Sequence, residues 1–148
     1  MVDTAQNQNS RVRRAVPDGI AAHRNAVRKT GGLLAVALSM IVMLIGFFLL
    51  ILPGTLTGLL GFVLTVIAMP TLPLFGVPAA GGFVRYLESF VSSVILWWLI
   101  GHYAAVRAIR LPIVSWPEWR REFRPLAIGV MSGSLISLAI AAVVLGVL

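Results

Sequence analysis

The chain has 148 residues, 59% hydrophobic and only 11% charged, with a formal net charge of +7 and no cysteine. Soluble domains carry about a quarter charged residues, so the composition excludes a water-soluble core of this size. The missing cysteines exclude disulfides, thiolate metal sites and a cysteine nucleophile.

The charges that exist are segregated. Residues 31 to 84 and 125 to 148 contain no Asp, Glu, Lys, Arg or His. A membrane span needs roughly 20 apolar residues at about 1.5 Å rise each, so the first block has room for two spans and the second for one.

In chain order, residues 1 to 32 form a basic tail, with Arg11, Arg13, Arg14, Arg24, Arg28 and Lys29 set against Asp3 and Asp18. An interfacial helix fits its second half, with Asp18 as N-cap and Gly31-Gly32 as the stop. The tail is too long and polar for a secretory leader, and the first apolar run is expected to be retained. That run, 33–52, is the first span. Pro53-Gly54 follows, the pair favoured at the centre of a type II turn, so spans one and two form a tight hairpin.

The second segment, about 55–77, is interrupted by Pro70 and Pro73, with Pro78 just beyond. Each proline lacks a backbone donor, and the freed carbonyls need partners in neighbouring helices. A third span, about 89–106, is the least apolar of the set and holds Trp97-Trp98 and His102; Arg85 and Glu88 precede it, spaced to pair on a helix. Ser115 and Glu118 match a capping box. Trp116, Trp119 and Phe123 then share one face of a short amphipathic helix, read as interfacial anchors with the aromatics toward lipid. Pro125 opens the last span, 126–148.

The expected fold is therefore all-α and integral to the membrane: four transmembrane helices, plus short interfacial helices, in one transmembrane domain over 33–148. Charge counting strains against this. Four crossings place seven basic residues on one side and five on the other, a weak bias. If 55–80 instead dips in and returns, the same residues divide eleven against one. Backbone hydrogen bonding favours the full crossing, since irregular chain exposed to lipid is not tolerated, and four crossings are the expectation.

Two small-residue stripes read as helix-packing interfaces, because small side chains let backbones approach where lipid removes any hydrophobic drive between helices. These are Gly129, Gly133, Ser137 and Ala141 in the last span, and Thr57, Gly61 and Thr65 in the second; Ala35 and Ser39 make a fragment in the first. The partner of the last-span stripe, within the chain or outside it, is left open. The arginine clusters (Arg11, Arg13, Arg14, Arg24, Arg28 and Lys29, with Arg120, Arg121 and Arg124) suit anionic lipid head groups. Nucleic acid is the alternative partner, since phosphate attracts the same charges.

The five acidic residues include no pair inside a span, and there is no phosphate loop, histidine cluster or Ser-x-x-Lys. No catalytic, cofactor or metal residues are expected, and no enzyme. In size and hydropathy the chain resembles the small internal membrane proteins of enveloped pleomorphic archaeal viruses. That resemblance implies a structural protein lining an envelope. The expected function is thus a non-catalytic, multi-pass structural protein of a cell membrane or virion envelope, or an accessory subunit, packing against other subunits or copies of itself. The alternative is a small transporter or channel subunit using the proline-broken second span, with His102 as its titratable group.

Overall fold

In a computed structural model the chain is all-helical, and residues 20–76, 82–110, 115–144 and 146 are described. Helix α1 (Ile20–Ile51) has 32 residues. It runs straight through Gly31-Gly32, which do not end it. Both glycines are buried where α1 crosses α3 (Phe83–Ala108): a Cβ on Gly31 would lie 2.8 Å from the Ala105 side chain, and one on Gly32 would lie 2.9 Å from Trp98. The facing residue Gly101 is as tight: a Cβ there would lie 2.5 Å from the Ala35 side chain and 2.7 Å from the Gly31 carbonyl. The glycines are there for backbone contact, which outweighs their roughly 1 kcal/mol propensity cost. The Asp18 cap lies outside the described residues.

Helix α2 (Thr55–Ala68) folds back on α1 through Leu52–Gly54. Gly54 takes φ +132° and ψ 141°, a conformation that L side chains rarely adopt. It is not the type II turn expected, although the connection is as short. Gly54 still caps the new helix, its carbonyl accepting from the Gly58 amide and the Thr57 hydroxyl.

The main departure from expectation is α2 itself. It has 14 residues, or about 21 Å at 1.5 Å per residue, too short for a ~30 Å hydrocarbon core. After Met69-Pro70-Thr71 the chain makes one 3₁₀ turn, Leu72–Phe75, which ends on Gly76 in the left-handed region. Contacts with α3 show which way it goes. Ala68 meets Trp97, Thr71 meets Ser89 and Ser93, and the Phe75 carbonyl faces Arg85. The segment therefore turns back toward the end of the bundle at which α2 began. Among the described residues three helices, not four, are long and apolar enough to cross a membrane: Arg24–Ile51 within α1, α3, and α4 (Trp116–Val144).

Helix α4 has 29 residues and carries Pro125 inside it. The separate interfacial helix and the last span are thus one element. Proline removes the hydrogen bond to the carbonyl four residues back. Here that is Arg121, on an exposed polar turn where the carbonyl stays open to solvent, and the helix continues.

The core sits between α1, α3 and the first half of α4, around Val27, Ala35, Trp97, Ala104, Ala105, Ala108, Trp119, Phe123 and Ala127. Met69 and Leu72 form a second cluster with Met43, Phe75 and Phe90. Pairing of Gly31 with Ala105 and of Ala35 with Gly101 makes α1 and α3 antiparallel. The start of α1, the end of α3 and the start of α4 consequently share one end of the bundle.

Candidate functional site

That shared end collects the charge. Of the nine described basic residues, eight lie there: Arg24, Arg28 and Lys29 on α1, Arg107 on α3 and Arg110 in the turn just past it, and Arg120, Arg121 and Arg124 on α4, all exposed. Arg85 alone is at the other end. Four crossings would have split these clusters; the turned-back α2 unites them. Arg11, Arg13 and Arg14 lie outside the described residues. Arg107 Nε contacts Glu122 Oε2 at 2.9 Å, tying α3 to α4. At the start of α4 the Ser115 hydroxyl donates to the Glu118 carboxylate, and the Ser115 carbonyl accepts from the Trp119 amide.

The aromatic face next to these arginines turns inward. Trp119 is 2% exposed, donates its indole N–H to the Gly101 carbonyl at 3.1 Å, and stacks on Phe123 with centroids 4.7 Å apart. Phe123 is also buried, tilted against Trp97. Trp116 stands outward at 41% exposure. Trp119 and Phe123 are therefore wedges between helices rather than lipid-facing anchors. The period of three and four that marked an amphipathic face was real, but its apolar side meets α3 and α1.

The second feature is the broken end of α2. Pro70 has no N–H for the Val66 carbonyl, and the turn diverts the amides that would have served Ile67 and Ala68. Helix α3 makes good part of this loss and holds the turn that follows. The Trp97 indole donates to the Ala68 carbonyl at 2.9 Å, and the Thr71 amide reaches the Ser93 hydroxyl at 3.4 Å. The Thr71 hydroxyl lies 2.8 Å from the Ser89 carbonyl and 2.8 and 2.7 Å from the hydroxyls of Ser92 and Ser93. Among the described residues no buried side-chain nitrogen or oxygen lacks a partner. Beside the break is a cavity of about 120 Å³ lined chiefly by aliphatic and aromatic side chains, including Leu38, Val42, Ile67, Trp97 and Met131. Thr71, Ser89, Ser93 and Trp97 carry this joint without having been singled out as a set. Their signal was a polar face at spacings of four in the third span, opposite three prolines.

The two small-residue stripes part company. Gly61 is buried, its potential Cβ 2.7 Å from the Gly46 carbonyl and 2.8 Å from the Leu50 amide, and Thr65 sits beside it, bonded to the Gly61 carbonyl. Thr57 is half-buried at the hairpin. Gly129 and Gly133 are exposed, with nothing within 4 Å of either potential Cβ, and Ser137 and Ala141 are half-buried.

His102 is half-buried and stacks on Trp98 at 5.2 Å. Among the described residues no three His, Asp or Glu side chains gather as metal ligands. Arg85 points to the Phe75 carbonyl rather than to Glu88. The architecture is a helical bundle with three span-length helices, a turned-back broken hairpin and one cationic end. No family model, curated protein or solved structure matches the chain significantly.

Proposed function

We propose that this chain is a multi-pass membrane protein without catalytic chemistry. It packs inside the bilayer as an accessory or envelope-lining component and holds its cationic end against anionic lipid. The observation that carries the reading is the gathering of eight of nine described basic residues at one end of a bundle whose long helices expose Leu, Ile, Val and Phe along their flanks. Basic residues near a membrane surface contribute about 1 kcal/mol each with anionic lipid. In this reading α1, α3 and α4 cross, and α2 with its 3₁₀ turn is re-entrant. Irregular backbone at membrane depth is tolerated where protein covers it, and α3 supplies that cover through Ser89, Ser93 and Trp97. The positive-inside rule then assigns the cationic end to the cytoplasm or the virion interior.

The broken hairpin also motivates a transport reading. Its hydroxyls, however, are engaged in closing the break, and the adjoining cavity is apolar. Both observations support packing. The exposed Gly129–Gly133 turn of α4 supports a further helix as neighbour, from a second copy or another subunit.

The test is alkaline carbonate extraction of membranes containing the full chain, repeated in high salt. Complete retention in the pellet is expected under both conditions. Release by carbonate contradicts membrane integration, and release by salt alone marks a protein held by charge.

A further inference from the structure

We infer that Arg107, Arg110 and Tyr103 form a discrete site for the phosphate of one anionic phospholipid. This rests on the membrane reading above and goes beyond it, because it replaces a diffuse cationic surface by one pocket between the end of α3 and the start of α4. Tyr103 and Arg107, at i and i+4, share a face of α3, and Arg110 follows in the turn just past its end. With Val106 and Glu122 they line an open cavity of about 310 Å³ at the cationic end.

The chemistry of the lining favours a phosphate. Glu122 engages Arg107 through Nε at 2.9 Å. An arginine held at Nε still has the four N–H donors of its two terminal nitrogens, in the planar fork that suits phosphate. Glu122 thus orients Arg107 and neutralises one charge. Arg110, which makes no ion pair among the described residues, leaves the pocket with a net positive charge. Tyr103 supplies a hydroxyl at the rim.

The same face also identifies the rest of the ligand. Below Tyr103, at successive spacings of four, come Leu99 and Ile95, exposed at 50% and 52%. A phosphate seated between the arginines therefore places an acyl chain along a continuous apolar strip, which a soluble phosphate would leave uncovered. An amphipathic phosphodiester fits both halves of the site.

The experiment is native mass spectrometry of the full chain released from nanodiscs of equal phosphatidylglycerol and phosphatidylcholine. The wild-type chain is expected to retain one phosphatidylglycerol in preference to phosphatidylcholine. Arg110→Gln is expected to lower that retention about tenfold, the loss of a charge-assisted contact. Arg85→Gln, which removes the same charge at the opposite end of the bundle, is expected to change it by about twofold or less. Equal losses for the two variants overturn the site in favour of diffuse attraction, as does an absence of lipid preference in the wild type. Displacement of the lipid by glycerol phosphate or by a short oligonucleotide at matched ionic strength overturns the lipid assignment. Carbonate extraction reports separately on membrane integration, so failure of the pocket and failure of the membrane reading are distinguishable.

Discussion

Gly46, Gly61 and Gly101, on α1, α2 and α3, and Gly129 and Gly133, on α4, follow the same small-residue logic and meet different fates. Gly46, Gly61 and Gly101 sit where helices touch backbone to backbone, with no room for a methyl group. Gly129 and Gly133, four apart on α4, face open space. A stripe read from spacing alone says that close approach is allowed; it does not say whose backbone approaches. The inner set is committed to this chain's own hairpin and crossing. The outer set remains available to another helix.

The sharpest way to break this comparison is to fill both kinds of site. Gly101→Leu drives a side chain into Ala35 and the Gly31 carbonyl. Because backbone atoms must move, the loss is expected to exceed the roughly 1–3 kcal/mol of ordinary overpacking. The readout is thermal unfolding in detergent, in which this variant is expected to lose its cooperative transition. A Cβ at Gly133 meets nothing within 4 Å among the described residues, and Gly133→Leu is expected to shift stability by less than about 0.5 kcal/mol. Any effect of Gly133→Leu should emerge in crosslinking of assemblies in membranes. Equal destabilisation by the two substitutions would remove the distinction between inner and outer stripes.

The broken hairpin was partly legible before the structure was known, and the reason it was not fully so is physical. Three prolines and a charge count of eleven against one both pointed to a segment that turns back. The opposing consideration was that freed carbonyls need partners. The Ala68 carbonyl finds one in the Trp97 indole, 29 positions away, and the turn is fixed by the Thr71 hydroxyl donating to the Ser89 carbonyl, 18 positions away; no local pattern encodes such distances. Pro125 failed as a boundary for the converse reason. Its lost bond falls on an exposed turn among arginines, where a helix survives proline. The aromatic face of 116–123 was recognised but assigned to lipid, since periodicity marks an apolar face without naming what covers it.

The joint yields the next prediction in size. Trp97→Phe keeps one aromatic ring but removes the pyrrole ring and leaves the Ala68 carbonyl without its donor, a loss expected at about 1–3 kcal/mol for the hydrogen bond alone. Thr71→Val, close in shape, removes the hydroxyl that meets Ser89, Ser92 and Ser93 and is expected to cost a similar amount. If thermal unfolding shows both to be neutral, the hairpin is not held by α3 as described. A smaller effect belongs to the Arg107–Glu122 pair. It is partly exposed, so Glu122→Gln is expected to cost about 0–1 kcal/mol, and less in high salt.

The central claim is that the two basic clusters share one side while α2 enters and leaves by the other. Because the chain lacks cysteine, single cysteines report their side without background. Asn25→Cys and Arg121→Cys mark the start of α1 and the start of α4, and Thr55→Cys marks the hairpin. With a membrane-impermeant thiol reagent on sealed, uniformly oriented vesicles, Asn25→Cys and Arg121→Cys should behave alike and Thr55→Cys oppositely. Labelling of Asn25→Cys with protection of Arg121→Cys, or the reverse, would establish four crossings and contradict the re-entrant account.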